Sequence, residues 1–301
     1  MHHHPYRADI DGLRAVAVLA VVAFHAGWVG GGFVGVDVFF VISGYLISRM
    51  IFLDWSAPGF VGRFYAGRIR RIFPALIVVL SACIGLGQFV LLPTELKGLG
   101  KQIFGGATFL SNFVLAREAD YFDVAADLKP LLHLWSLGIE EQFYLIWPAF
   151  IIFAMRRRWS VGHVILVLAL SSLALNVAFI QSRPVFTFYW PLTRLWELLA
   201  GAAVARFELA AKVRNPTAAS IVGALLILAA VCTFHRSMEY PGWLAIVPVV
   251  GTALLIASGG AATVNRLLLS RQPLVFIGLI SYPLLPSTGF FSHASRSCSL
   301  G

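Results

Sequence analysis

Long apolar runs recur along this chain, at 12–29, 33–53, 73–92, 134–155, 161–180, 188–206, 217–234 and 243–259, with a ninth beginning near Gln272. Each approaches the roughly 20 residues that a helix needs to cross the hydrocarbon core of a bilayer. Segments of this kind cannot stay extended or irregular in lipid, because every backbone N–H and C=O must be paired internally. The pattern therefore predicts an all-α, polytopic transmembrane helical bundle with about eight full spans and an incomplete ninth.

Composition agrees. Only 12% of the residues are charged, about half the share found in soluble domains, and the mean hydropathy is +0.82. The net charge of +9 does not point to nucleic acid, because the basic residues sit in short gaps between apolar runs, where membrane topology places them. Asp9 and Asp11 beside Arg7 and Arg14 make the first run a poor signal peptide and a good retained helix. Cys83, Cys232 and Cys298 have neither disulfide nor metal-ligand spacing, and no metal is expected.

The run 103–116 is shorter and contains Ser111 and Asn112. If it does not cross and the N-terminus is cytoplasmic, thirteen basic residues fall inside, Arg156, Arg157 and Arg158 among them, against six outside. If it crosses, that triple moves outside and the positive-inside rule is violated. The segment is therefore expected to be re-entrant or interfacial, and 117–133, with Glu118, Asp120, Asp123 and Asp127, to be an acidic external loop.

Ionisable side chains inside apolar runs are costly unless paired or hydrated, which makes them functional candidates. His25, Asp37, the pair Glu140-Glu141, and Arg194 with Glu197 are the cases here. With a rise of about 1.5 Å per residue, His25 and Asp37 lie about 6 Å below the outer boundary, and Glu140 and Arg194 about 6–10 Å below it. Four helices thus bring titratable groups towards one outer layer. Histidine is suited to take a proton from a hydroxyl near neutral pH, and Asp37, Glu140 or Glu141 beside it would orient the ring. Each has a structural alternative. His25 can bond a neighbouring helix, Asp37 can cap the second span, and Arg194 and Glu197, three residues apart, can form a bridge. At the inner face, Arg14, Arg68 and Arg71 suit phosphate groups or serve topology alone. Arg68, Arg70 and Arg71 precede Pro74, which is read as opening the third span.

Tyr6-Arg7-x-Asp9-Ile10-Asp11-Gly12-Leu13-Arg14 followed by Phe24-His25 resembles the opening of the acyltransferase type 3 family. Gly35-Val36-Asp37-Val38-Phe39-Phe40-x-x-Ser43-Gly44, Arg68-Ile69-Arg70-Arg71-x-x-Pro74, His133-x-Trp135-Ser136-Leu137-x-x-Glu140-Glu141-Gln142-Phe143-Tyr144 and Arg194-Leu195-Trp196-Glu197-Leu198 are similar to later family motifs, in order. The resemblance implies an O-acyltransferase of the bacterial inner membrane, with acyl-CoA (acetyl-CoA) as co-substrate. The implied acceptor is a glycan or lipid-linked glycan outside, such as O-antigen, another lipopolysaccharide sugar or exopolysaccharide; acceptors across the family also include peptidoglycan. Its catalytic histidine maps onto His25, its N-terminal arginine onto Arg14, its arginine pair onto Arg68 and Arg71, and an assisting carboxylate onto Glu140 or Glu141. Members carrying an extracytoplasmic SGNH-type domain look most similar. After Leu284 the chain departs from the family pattern, so residues 1–284 are expected to be an incomplete membrane acyltransferase domain and 285–301 an aberrant polar tail. The rival readings are a membrane carrier of a glycan, lipid or acyl donor, and an inactive fragment.

Overall fold

The computed structural model describes residues 6–118 and 131–281. The N-terminal histidines, most of the expected acidic loop and the tail after Leu284 lie outside the described residues. Among the described residues every regular element is helical, and the chain is a polytopic all-α bundle. The helices are α1 (Ala8–His25), α2 (Gly35–Asp54, entered through a tight helical turn at Gly32–Val34), α3 (Phe60–Val90), α4 (Pro93–Ala107), α5 (Ser111–Glu118), α6 (Leu134–Arg156) and α7 (Val161–Phe179). There follow α8 (Pro184–Tyr189), α9 (Pro191–Arg206), α10 (Leu209–Lys212), α11 (Pro216–Thr233) and α12 (Ile246–Ser258). A π-helical turn at Asn265–Leu269 precedes α13 (Gln272–Ser281).

Five helices among the described residues are by themselves long and apolar enough to cross a membrane: α2 with its entry turn, α3, α6, α7 and α11. The others are shorter or carry charge, and one break has a clear local cause. The run 188–206 breaks at Trp190, whose ψ of 131° is extended, because the following Pro191 disfavours helical geometry at the residue before it. The segment 103–116 is two short helices joined where Phe109 takes a φ of +56°. Neither is among the five helices long and apolar enough to cross by themselves.

One boundary differs from the sequence expectation. The helix α3 starts at Phe60, and Pro74 lies inside it. The proline removes one backbone bond, to the carbonyl four residues earlier, without stopping the helix, a tolerance familiar in membrane helices. Arg68, Arg70 and Arg71 are thereby carried on the third and fourth turns of α3 rather than in a preceding loop.

The second helix is the centre of the fold: 67% of its apolar window is buried, against 22–28% for α3, α7 and α11. One core cluster joins α1, α2, α9 and α12, and another joins α2, α6, α7 and α9. The approach of α2 to α9 is close enough to require glycine on both. A Cβ on Gly44 would sit 1.8 Å from the Leu198 carbonyl oxygen, and one on Gly201 2.0 Å from that of Val41. Lipid gives helices no hydrophobic reason to associate, so such backbone contact supplies packing energy instead.

The start of α1 is anchored by polar contacts. Asp9 receives Arg7 Nε at 2.8 Å and Asn265 Nδ2 at 2.9 Å. Asn265 also donates to the Leu255 carbonyl, and Arg7 to that of Ile256. These residues sew the N-terminus to α12 and the π-helical turn, so a charged opening that reads as topogenic in sequence is structural as well.

Candidate active site

His25 is the last residue of α1. Its Nδ1 lies 2.7 Å from the Val21 carbonyl oxygen. A carbonyl only accepts, so Nδ1 carries the proton and Nε2 presents the lone pair. His133, immediately before α6, places its own Nε2 2.9 Å from that atom, and the rings lie 4.3 Å apart. In the neutral pair, His133 Nε2–H therefore donates to His25 Nε2. In the sequence His133 opens the motif that runs to Tyr144 and carries no signal of its own. At the polar start of an apolar run, a histidine looks like a boundary residue.

His133 forms one end of a cleft lined by α1, α2, α3 and α6. Ser136, Leu137, Glu140 and Tyr144 continue along the same face of α6, at spacings of three or four residues. Arg14, Arg68 and Arg71 line the other end. From His133 to Tyr144 the helix rises about 16 Å, and so does α1 from Arg14 to His25. A single cleft thus has cations at one end and His133, backed by His25, at the other.

The arginines are held there by their neighbours. Tyr6 donates to Asp11 at 2.6 Å, and Asp11 lies 3.4 Å from Arg14 Nη1. That hydrogen bond pushes the Tyr6 phenol up to about 12, so it remains a donor across the physiological range. Arg68 lies over the Tyr144 ring at 5.0 Å and the Phe64 ring at 5.7 Å, contacts that keep its planar fork at the cleft wall. Glu141, on the adjacent face of α6, shares the electrostatic field of Arg68 and Arg71.

Glu140 is set apart from the histidines along α6. It follows His133 by seven residues, about 10 Å along α6. Its Oε2 accepts the Ser43 hydroxyl at 2.9 Å and the Tyr144 hydroxyl at 2.7 Å.

Asp37 also has partners other than the imidazole. Arg194 Nη2 stands 3.2 Å from Asp37 Oδ1, and Arg194 Nη1 stands 3.1 Å from Glu197 Oε1. Both are charge contacts rather than aligned hydrogen bonds. The Tyr240 hydroxyl donates to Asp37 Oδ2. All three charged side chains are 0–1% exposed. Phe40, Trp135, Phe188 and Tyr240 surround the guanidinium with ring centroids 5.5–5.9 Å from its carbon. Arg194 and Glu197 thus form the expected bridge, and Asp37 belongs to it. Desolvation and the Asp37 carboxylate hold the Tyr240 phenol well above its ordinary value, so it stays a hydrogen-bond donor. Tyr240 escaped the sequence reading because it sits between spans with no motif around it.

From Tyr240 a run of edge-on aromatic contacts leads back to the histidine. Its ring lies 4.7 Å from that of Phe33, Phe33 lies 5.4 Å from Phe24, and Phe24 lies 5.2 Å from His25. The Arg236 guanidinium covers Phe24 at 4.5 Å. The short α4–α5 hairpin is fastened to α6 by Gln142, which donates to the Phe109 carbonyl at 2.7 Å and to Asn112 Oδ1 at 2.9 Å.

A helical bundle with several crossing helices and a polar cleft sunk among them defines a multi-pass membrane protein. The chain belongs to the acyltransferase type 3 family, whose acyltransferase domain matches residues 7–285. It is similar to the peptidoglycan O-acetyltransferase OatA of Listeria monocytogenes, with 32% identity over 300 residues, covering 92% of this chain and 48% of that protein. The putative peptidoglycan O-acetyltransferase YrhL of Bacillus subtilis is 32% identical over 309 residues, covering 93% and 48%. A putative O-acetyltransferase of Staphylococcus aureus is 29% identical over 300 residues, covering 93% and 49%. The chain therefore spans about half the length of the curated relatives it matches. No solved structure matches it.

Proposed function

We propose that this chain transfers an acyl group, acetyl foremost, from cytoplasmic acyl-CoA to a hydroxyl of a cell-envelope glycan outside the bacterial inner membrane. The observation that carries the reading is the cleft itself, with Arg14, Arg68 and Arg71 at one end and His133, in contact with His25, at the other. Guanidinium forks suit the coenzyme phosphates. The positive-inside rule places the arginine-rich end in the cytoplasm, with the N-terminus there and the histidines near the outer face. Among glycans, the names of the relatives favour peptidoglycan over O-antigen or exopolysaccharide.

The chemistry follows from the tautomer. The glycan hydroxyl takes the place of the His133 N–H at His25 Nε2, and His25 removes its proton as the oxygen attacks the thioester carbonyl carbon. The Val21 carbonyl, accepting from Nδ1–H, steadies the imidazolium that forms. The His133 N–H, released from His25, turns to the carbonyl oxygen as negative charge builds there. The C–S bond then breaks, the coenzyme leaves as thiolate, and the proton on His25 passes to the sulfur. The products are the O-acyl glycan and free coenzyme A.

The test is glycan mass spectrometry on cells carrying the wild-type chain or His25→Ala, with equal amounts in the membrane. Loss of the O-acyl group in the variant is expected. Full acylation by His25→Ala would remove the proposal. Labelled solute crossing unmodified, with no label on glycan, would favour a carrier instead.

A further inference from the structure

Glu140 is out of place in a cleft built for an anion. The cleft wall carries Arg14, Arg68 and Arg71 towards one end, and a carboxylate between them and the histidines would repel phosphate. Its orientation is nonetheless secured: Ser43 and Tyr144 both donate to Oε2. Oε1 accepts no hydrogen bond among the described residues, which leaves a carboxyl oxygen open as an acceptor on the wall of the cleft that Glu140 lines.

An acceptor in that position recognises an N–H donor. The arm of coenzyme A offers such donors as two neutral amides, placed between its phosphates and its thiol. The order of groups along the cleft, arginines, then Glu140, then histidines, is the order of phosphates, amides and thioester along the donor. The near amide lies only two carbons from the sulfur. Glu140 lies about 10 Å along α6 from His133, which selects the far amide.

We infer that Glu140 is a donor-binding residue whose Oε1 accepts the N–H of the pantetheine amide farther from the thioester, rather than a carboxylate that assists His25. This rests on the acyl-CoA reading above. It gives Ser43 and Tyr144 a positioning role: by occupying Oε2 they turn Oε1 towards the ligand.

The test measures binding, not turnover, on the chain purified in lipid nanodiscs. The ligands are coenzyme A, an analogue with an ester oxygen replacing the far amide N–H, an analogue with the same change at the near amide, and adenosine bisphosphate lacking the arm. The wild-type chain is expected to bind the far-ester analogue about 10- to 100-fold more weakly than coenzyme A, the range for leaving a buried hydrogen-bonding group unmatched, and the near-ester analogue with little loss. In Glu140→Gln the hydroxyls still find a carbonyl oxygen, while an NH2 replaces the acceptor. Coenzyme A should weaken by a similar factor, adenosine bisphosphate should be unchanged, and the penalty of the far ester should vanish, as a double-mutant cycle requires. Equal binding of coenzyme A and the far-ester analogue by the wild-type chain overturns the inference, whatever becomes of the variant. If the wild-type chain binds neither coenzyme A nor adenosine bisphosphate, the acyl-CoA reading itself falls, and the inference falls with it.

Discussion

His25 and His133 stand 108 residues apart in sequence, and their Nε2 atoms lie 2.9 Å apart in the fold. One ring has its proton assigned to Nδ1 by the Val21 carbonyl, so the other must donate. The pair is an arrangement of one base and one N–H donor, and the two are separable by mutation.

His25→Ala should lower acyl transfer by about 10²–10⁴-fold, the usual span for loss of a general base. His133→Ala should lower it by about 10²–10³-fold, as for loss of one donor to a developing oxyanion. His133→Gln, which keeps an N–H donor, should recover part of that loss. Rates of label transfer from acetyl-CoA to a soluble glycan fragment would measure all three. Unimpaired transfer by His133→Ala would leave His133 without the assigned role.

The arginines should act on donor binding. Arg68→Ala and Arg71→Ala are each expected to raise KM for acetyl-CoA by about 10-fold, the value of one charge-assisted hydrogen bond, with a smaller change in kcat. Arg68→Lys should not rescue fully, because an ammonium lacks the planar fork that lies over the Tyr144 ring. Donor-saturation kinetics separate the two constants.

Arg194→Met should be destabilising by about 3–5 kcal/mol, because it leaves Asp37 and Glu197 buried with no cation. Thermal unfolding in detergent would show the loss. The double variant Arg194→Met with Glu197→Gln should regain stability, since it leaves one buried carboxylate instead of two, and that one keeps the Tyr240 hydroxyl.

Tyr240→Phe removes the hydroxyl bound to Asp37 and leaves the ring. If the aromatic contacts through Phe33 and Phe24 hold His25, kcat should fall several-fold while KM for acetyl-CoA stays constant. An equal rise in KM would show instead that the cleft as a whole had shifted.

Gly44→Val should block assembly of α2 with α9, because even a Cβ falls 1.8 Å from the Leu198 carbonyl oxygen. Overpacking of this kind costs about 1–3 kcal/mol where neighbours can yield, and a helix backbone yields little. Loss of folded protein from the membrane, followed by protease sensitivity, is the expected readout.

The all-α bundle was legible in the amino-acid order, and so were the short run 103–116, the intramembrane histidine His25 and the basic residues Arg14, Arg68 and Arg71 as features that stand out. Apolar length, basic-residue bias and the cost of charge in lipid act on local sequence, and each leaves a local trace. His133 and Tyr240 left no such trace. One stands at a helix boundary and the other in a connecting segment, where polar residues are ordinary. Glu140 was visible as an intramembrane acid, but its hydroxyl partners Ser43 and Tyr144 were not.

A helical sequence determines how far along its own axis each side chain lies, because the rise per residue is constant. It does not determine which way that side chain faces among its neighbours. The rotation of each helix is decided by packing, here by the glycine contacts of α2 with α9 and by the polar ties of α1 to α12. Only the tertiary structure could therefore send Asp37 to Arg194, set His25 against His133 and place Glu140 in the cleft wall.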